Sequence, residues 1–582
     1  MTDVSLTAPD RSRLPTIVAI AAIALVIAFL ALHRIGASDV CGGDEAVEGI
    51  VVQQMVEGGH LVPTGNSVIP IFKPPLFHWT ATAIDRVLGI TKVTAANLRY
   101  ASAFYAVAGA ILAMGFAASI LGFNGAIVAG LALAGAYQYI GLARFGRVDM
   151  TLTFYETLAL FAFIWWMPRR RQGGEFGAPR LVMLYLMAIA LGLGVLAKGP
   201  VGALLPGAAI VIFMIAQRRA HQIVAMLDPG AIIIGGVIAS SWYLICYFGG
   251  RDAALNRQLG SENVGRFFGA LGAMPPWYYL KPLFLNSAPL SLFVPVAVAL
   301  ALSEPLSRYF TGEDAAQSAA GEGADASHAR ECIRLFAIFW LVTVIFFTLA
   351  SYKRRNYLLP LWPASSVMLA WLIVAIPPAR YRAIALRAFA AICAVLIVFN
   401  FIYVPRREVA TCGGDSFRPV VEEIDRVVGP GDPLYLYGFS DDLAPLLFYL
   451  DRTAPILDGR LGDAPPGYVL VPEDVWKENQ AQALDLEPVM TSEHGTRKLV
   501  LLRHGASYAE ARSINGIKFP DLAERATSSV MVNFVRVAHC AQNDGLDSSQ
   551  YIEMRISRRL ILRAMRAFRR SLGMSLPRSP DL

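Results

Sequence analysis

Carboxylates and cations at the ends of apolar stretches are the residues best placed to do chemistry. Cys41-Gly42-Gly43-Asp44-Glu45 directly follows the first apolar run. Its glycines let the chain turn tightly and approach a ligand, while Asp44 and Glu45 bring carboxylates to a membrane surface. Asp149 lies in Arg144-Phe145-Gly146-Arg147-Val148-Asp149-Met150, between two later apolar runs. Two acids on one face, each beside a helix end, can position an acceptor hydroxyl and take its proton. Each also has a structural reading: Asp44 as the N-cap of the helix it opens, Asp149 as the partner of Arg144 or Arg147. Glu156, two turns deeper, is costly in lipid and must face protein or a cavity.

The complementary half is cationic. Lys73 stands in Phe72-Lys73-Pro74-Pro75 and Lys198 in Ala197-Lys198-Gly199-Pro200. Arg266 closes Glu262-Asn263-Val264-Gly265-Arg266, and Tyr352 precedes the run Lys353-Arg354-Arg355. Lysine offers a compact charge and arginine a planar fork, both suited to phosphate oxygens. The expected site is therefore catalytic Asp44, Asp149 and Glu45, with Lys73, Lys198, Arg266, Arg144, Tyr352, Lys353 and Arg355 binding substrate. Lipid head-group contact for Lys353–Arg355 and snorkelling for Lys198 stand as alternatives. The 6 cysteines form no CxxC or Cys/His metal pattern, which argues against a zinc ribbon or thioredoxin-like site.

What positions these residues is a membrane scaffold. Of 582 residues, 55% are hydrophobic and 16% charged, against about 25% charged in a soluble domain. Repeated apolar runs predict a polytopic α-helical protein with about eleven (eleven to thirteen) transmembrane helices. The net charge of +7 fits basic loops beside lipid head groups, with no role for nucleic acid. Arg169–Arg171, Arg218, Arg219, Arg380, Arg382 and Arg387 fall on the N-terminal side, which the positive-inside rule makes cytoplasmic. Lys73, Arg144, Arg147, Lys198, Arg266 and Lys353–Arg355 fall on the other side, against that bias, and so suggest an anionic ligand there.

Residues 1–404 are expected to form the transmembrane domain, whose first outer loop, 33–100, carries Asp44 and an interfacial helix over Glu45–Glu57. Ser303–Glu331 reads as a flexible cytoplasmic connection. Beyond Val404, strand-like runs Pro433–Phe439, Tyr468–Pro472 and Lys498–Arg503 alternate with helical Phe417–Val428 and Leu443–Leu450. This pattern predicts a small extracytoplasmic α/β domain over 405–505. Residues 506–582 form an extension ending in a basic amphipathic tail, Arg555–Arg570.

Together these stretches resemble the bacterial aminoarabinose-transferase family, GT-C-type membrane glycosyltransferases related to protein O-mannosyltransferases. The resemblance rests on Asp44-Glu45, Gly58–Trp79 (GGHLVPTGNSVIPIFKPPLFHW), Ala143–Leu152 (ARFGRVDMTL), Gly192–Pro206 (GLGVLAKGPVGALLP), Ser241-Trp242-Tyr243-Leu244, Glu262–Phe268 and Tyr357–Pro363 (YLLPLWP). Their shared order and spacing carry it, more than any one motif. It implies a polyprenyl-phosphate-linked sugar donor held by Lys73, Lys198 and Arg266, an acceptor lipid or envelope glycan facing Asp44 with Asp149 in support, and inversion at the anomeric centre. It implies a multi-pass inner-membrane protein, among membrane lipids, working on the periplasmic side. Two positions that supply divalent-metal ligands in such enzymes carry Phe72 and Met274-Pro275 here, which offer no donor suited to zinc. No cofactor is assigned, and a divalent metal stays an open alternative although the family-type ligands are absent. Val47 replaces a customary arginine three residues after Asp44. A protein O-glycosyltransferase, or a transporter or flippase of an anionic lipid, are the alternative readings; the sequence shows no internal repeat of transporter kind.

Cys41-Gly42-Gly43-Asp44 recurs as Cys412-Gly413-Gly414-Asp415. In an oxidising compartment the two cysteines can bridge and tie the outer domain over the catalytic loop.

Overall fold

The computed structural model describes residues 13–58, 73–167, 178–249, 251–270, 272–303, 305–306, 326–375, 379–412, 416–440, 443–450, 452–457, 459–494 and 497–504. The tail, most of 303–331, Arg169–Arg171 and Phe72 lie outside them.

The membrane part begins with α1 (Leu14–Leu32), then α2 (Gly43–Gly58), α3 (Leu76–Val87), α4 (Ala95–Gly135), α5 (Tyr137–Ala143), α6 (Val148–Trp166), α7 (Ala178–Lys198) and α8 (Val201–Ala216). Helices Pro229–Phe248, Leu290–Leu302, Ala326–Leu349, Leu361–Val374 and Ala379–Cys412 follow. Among the described residues, 7 helices are long and apolar enough to cross a membrane, or 8 if the bent pair Pro276–Leu285 and Leu290–Leu302 is one span. The sequence runs suggest about eleven, more than meet this test of length and apolarity. Val201–Ala216 and Leu361–Val374 are apolar but short. The 41 residues of α4 contain a break at Gly122, whose φ of 70° takes it out of the helix and which only glycine adopts without strain. Exposed Leu25, Ile233, Val237 and Val395 on the outside of the bundle are what a lipid-facing surface requires.

Ala379–Cys412 runs 34 residues through Pro405, about 50 Å at helical rise and well beyond a hydrocarbon core of about 30 Å. The expected boundary at 404 thus falls inside one continuous helix. This helix delivers Cys412 to Cys41, and the two form a disulfide.

After it comes a 4-stranded sheet of order β1-β2-β4-β3, with β1 (Leu434–Leu436) parallel to β2 (Tyr468–Pro472), and β4 (Arg497–His504) antiparallel to β2 and to β3 (Leu486–His494). Strand β3 is absent from the sequence reading. Pro488 sits in it beside a bulge, and its polar residues break the alternation expected of a strand. One core joins the sheet and helices Arg418–Val427 and Ala444–Tyr449 to α2 and α3, through Ala46, Val47, Ile50, Phe77, Val421, Leu446 and Leu447. Gly49 lets α2 touch Phe448: a Cβ there would lie 2.5 Å from its ring. The outer domain therefore braces the helix that carries Asp44.

Candidate functional site

Lys73 immediately precedes α3, Asp149 sits in the first turn of α6, and Lys198 ends α7. Gly199, at φ 89°, turns the chain into α8 beside the amide of Asn263. Glu262 belongs to a π-helical stretch, Asn256–Gly265, with Arg266 directly after it. π-helical turns are rare and concentrate at functional sites.

These elements enclose a cavity of about 460 Å³, within the range of ligand pockets. Lys73, Lys198, Arg266, Asp149, Glu262 and Asn356 form its polar part; Leu152, Val201, Leu204, Phe267, Phe268 and Phe346 are among its apolar lining. The charges interlock. Lys73 pairs with Glu262, which also accepts from Arg266 at 2.8 Å. Lys198 pairs with Asp149, and Asn356 donates to the same carboxylate at 2.9 Å. Arg147 bridges Asp149 and Asp44, each at 3.1 Å, and Arg354 pairs with Asp44 from the other side. Aromatic rings back the cations: Lys198 lies 4.7 Å from the Tyr357 ring centroid, and Arg266 and Arg354 flank Tyr352 at 5.5 and 5.4 Å. Within this network five cations face three carboxylates, leaving two positive charges in surplus.

Partial burial pushes the Asp44 carboxyl up, but Arg147, Arg354 and Lys73 outweigh it and hold it below the usual carboxylate value. Glu262 follows the same balance, with burial opposed by Lys73 and Arg266. Burial, with Arg266 and Lys198 nearby, pulls Lys73 below its ordinary value although Glu262 opposes this.

Of the expected residues, Asp149, Lys73, Lys198, Arg266 and Tyr352 line the cavity, and Asp44 joins them through Arg147. Four others lie elsewhere. Glu45 is 2% exposed and locked to Arg99 at 2.7 Å and to the Gly146 amide at 2.8 Å; it fastens α2 to α4 and does not reach a substrate. Arg144 is buried against Glu408 at 2.8 Å and the carbonyls of Leu30 and His33. Lys353 is buried and donates to the Met274 carbonyl at 3.1 Å. Arg355 is exposed outside the cavity lining. Glu156 is fully buried and without a hydrogen-bond partner among the described residues.

Arg354, Arg147, Glu262 and Asn356 were not in the expected set. The four-residue spacing of Glu262 and Arg266 and the two-residue spacing of Arg147 and Asp149 were the available signals; Arg354 and Asn356 depend on how distant segments meet. Among the described residues no three His, Cys, Asp or Glu side chains gather as a metal site. Phe72 and Met274, at the two positions where the resemblance places metal ligands, carry no nitrogen or carboxylate donor, and no step is routed through a metal.

A family model described as dolichyl-phosphate-mannose-protein mannosyltransferase matches residues 71–248. An undecaprenyl phosphate-alpha-4-amino-4-deoxy-L-arabinose arabinosyl transferase of Pectobacterium carotovorum is 25% identical over 347 residues, 58% of this chain and 56% of that protein. An uncharacterized protein of Aquifex aeolicus is 24% identical over 347 residues, 59% of this chain and 62% of that protein. The match thus spans less than two thirds of the length of these relatives. The crystal structure of ArnT from Cupriavidus metallidurans bound to undecaprenyl phosphate superposes with a TM-score of 0.66, covering 83% of this chain and 97% of that one at 17% identity. In sequence the chain is similar to aminoarabinose transferases, and it shares the fold of ArnT. The matched span 71–248 contains Lys73, Asp149 and Lys198, whereas Asp44, Glu262, Arg266 and Arg354 lie outside it.

Proposed function

We propose that this protein transfers a sugar from a polyprenyl-phosphate donor to a lipid or envelope-glycan acceptor at the periplasmic face of the inner membrane. The observation that carries this reading is the cavity itself: a cationic end that suits a phosphate is continuous with an aromatic and aliphatic lining that suits a prenyl chain. Lys73, Arg266 and Lys198 hold the donor phosphate, and Tyr352 and Tyr357 fix the cations from behind. An acceptor oxygen beside Asp44 attacks the anomeric carbon from the face opposite the phosphate. The carbon–phosphate oxygen bond breaks, its electron pair goes to the phosphate, and the acceptor proton goes to Asp44. The surplus positive charge stabilises the phosphate as its charge grows. Asp149 keeps Lys198 and Arg147 in place and does not touch the acceptor.

In this reading the break at Gly122 divides α4 into two crossings, and the two short apolar helices each cross as well, which gives eleven passes. The termini of the 1–404 portion then lie on opposite sides, and 405–505 stands in the periplasm with the site.

The mannosyltransferase match favours a protein hydroxyl as the second acceptor class. Mass spectrometry of lipids, envelope glycans and glycoproteins from cells with and without the gene decides between them. The expected result is loss of one hexose- or pentose-sized increment from a lipid or glycan, restored by wild type and not by Asp44→Asn. An increment lost from protein moves the acceptor to the second class. A lipid-linked sugar accumulating with no missing increment overturns transfer in favour of transport.

A further inference from the structure

We propose that Glu262 is an exchange counter-ion of the donor site. Its carboxylate occupies the cations when phosphate is away, yields them when the donor enters, and reclaims them to expel the spent lipid phosphate. The proposal rests on the polyprenyl-phosphate reading above and adds to it how the donor is admitted and the product released.

Glu262 is the only carboxylate of the network that touches both Lys73 and Arg266 among the described residues. Its side chain is 7% exposed and lines the cavity. Lys73 is 13% and Arg266 15% exposed, so the pairs are mostly desolvated, and cations left there without an anion are costly. A carboxylate and a phosphate cannot both sit on these two cations, because like charges brought together in such a site cost several kcal/mol. One of them must leave.

The backbone under Glu262 suits that movement. It lies in the π-helical stretch Asn256–Gly265, flanked by Gly260 and Gly265, a rare geometry that concentrates at functional sites, and the two glycines leave the backbone beside it free of side-chain restriction. The other two carboxylates of the network are held differently. Asp149 is fixed by Lys198, Arg147 and Asn356 at the end of a long buried helix, and Asp44 is held by Arg147 and Arg354. Those acids keep their cations in place; Glu262 competes for its own. Since the phosphate gains charge when the sugar departs, the product binds Lys73 and Arg266 more strongly than the donor does, and a resident competitor offsets that gain.

Purified full-length protein in lipid nanodiscs, titrated with undecaprenyl phosphate against undecaprenol as the uncharged control, tests the exchange. Glu262→Gln keeps the shape and removes the charge; it should bind undecaprenyl phosphate about tenfold tighter than wild type, with undecaprenol unchanged. Glu262→Asp keeps the charge and should stay close to wild type. In turnover, Glu262→Gln should complete a first round at near wild-type rate and then slow, as product stays bound. Equal or weaker phosphate binding by Glu262→Gln, in a wild type that does bind undecaprenyl phosphate, overturns the exchange and leaves the donor site standing. Equal affinity of wild type for undecaprenyl phosphate and undecaprenol overturns the donor reading itself, and the exchange with it.

Discussion

Asp44 and Asp149 meet on one guanidinium, that of Arg147, which lies 3.1 Å from each. Asp44 comes from the start of α2 and Asp149 from the start of α6, so in the proposed reaction Arg147 couples the acceptor side to the cation set that holds the donor. Replacing it with methionine should lower turnover more than donor affinity. It should also move the pH profile. Asp44 has a depressed pKa, so it stays ionised above that value and loses its charge, with any stability its ion pairs contribute, only as pH falls through it. The acid limb of kcat/KM therefore lies below the ordinary carboxylate range in wild type and should rise in Arg147→Met and in Arg354→Gln. An unmoved limb in both variants would show that Asp44 is not the titrating group.

Lys73 and Lys198 should separate by experiment although both face the cavity. Removing one charged hydrogen-bonding partner of a phosphate costs about 1.5–3 kcal/mol, so Lys73→Ala should weaken donor binding by roughly ten- to a hundredfold. Lys198→Ala should do the same and also reduce turnover at saturating donor, because it releases Asp149 from its cation. Donor KM and kcat measured for both variants check this; identical profiles would mean that Asp149 has no part in holding Arg147.

The sequence carried the scaffold and the ends of the cavity, and the physical reason differs from residue to residue. Lys73, Lys198 and Arg266 are cations at breaks in apolar runs, where a charge is expensive unless something uses it. Glu45, Arg144 and Lys353 are likewise charges at such breaks, yet they are spent on protein partners, Arg99, Glu408 and the Met274 carbonyl. Nothing local distinguishes a charge that faces a cavity from one that is buried against a partner hundreds of residues away. Arg354 went unassigned for the same reason. The recurrence of Cys-Gly-Gly-Asp at Cys41 and Cys412 did point to the disulfide, because both copies flank ends of the membrane part.

Arg144 and Glu408 predict a stability effect without a catalytic one. Their side chains are 0% and 8% exposed and no cavity-lining residue is involved. Arg144→Met leaves Glu408 buried and uncompensated, which costs about 3–5 kcal/mol. Adding Glu408→Leu should recover a large part of that, because the pair is then replaced by apolar packing. Thermal unfolding in detergent of the single and double variants measures the coupling. Additive losses would show that the two side chains act independently.

The bridge between Cys41 and Cys412 should matter for Asp44 more than for the donor. Asp44 is three residues beyond Cys41, and the intervening strap has other fastenings: Arg418 pairs with Asp39 at 2.7 Å, and the Val40 amide donates to the Tyr449 hydroxyl at 2.6 Å. These hold the strap's path, while the disulfide fixes the point from which α2 starts. Cys41→Ser, Cys412→Ser and the double variant should lose the same stability, about 2–4 kcal/mol, since each removes one and the same link. Acceptor kcat/KM should fall in all three while undecaprenyl phosphate affinity holds, because Lys73, Lys198 and Arg266 are anchored on other elements. Equal loss of donor affinity would mean that the strap also sets the position of α3, through the core that α2 and α3 share with the outer domain.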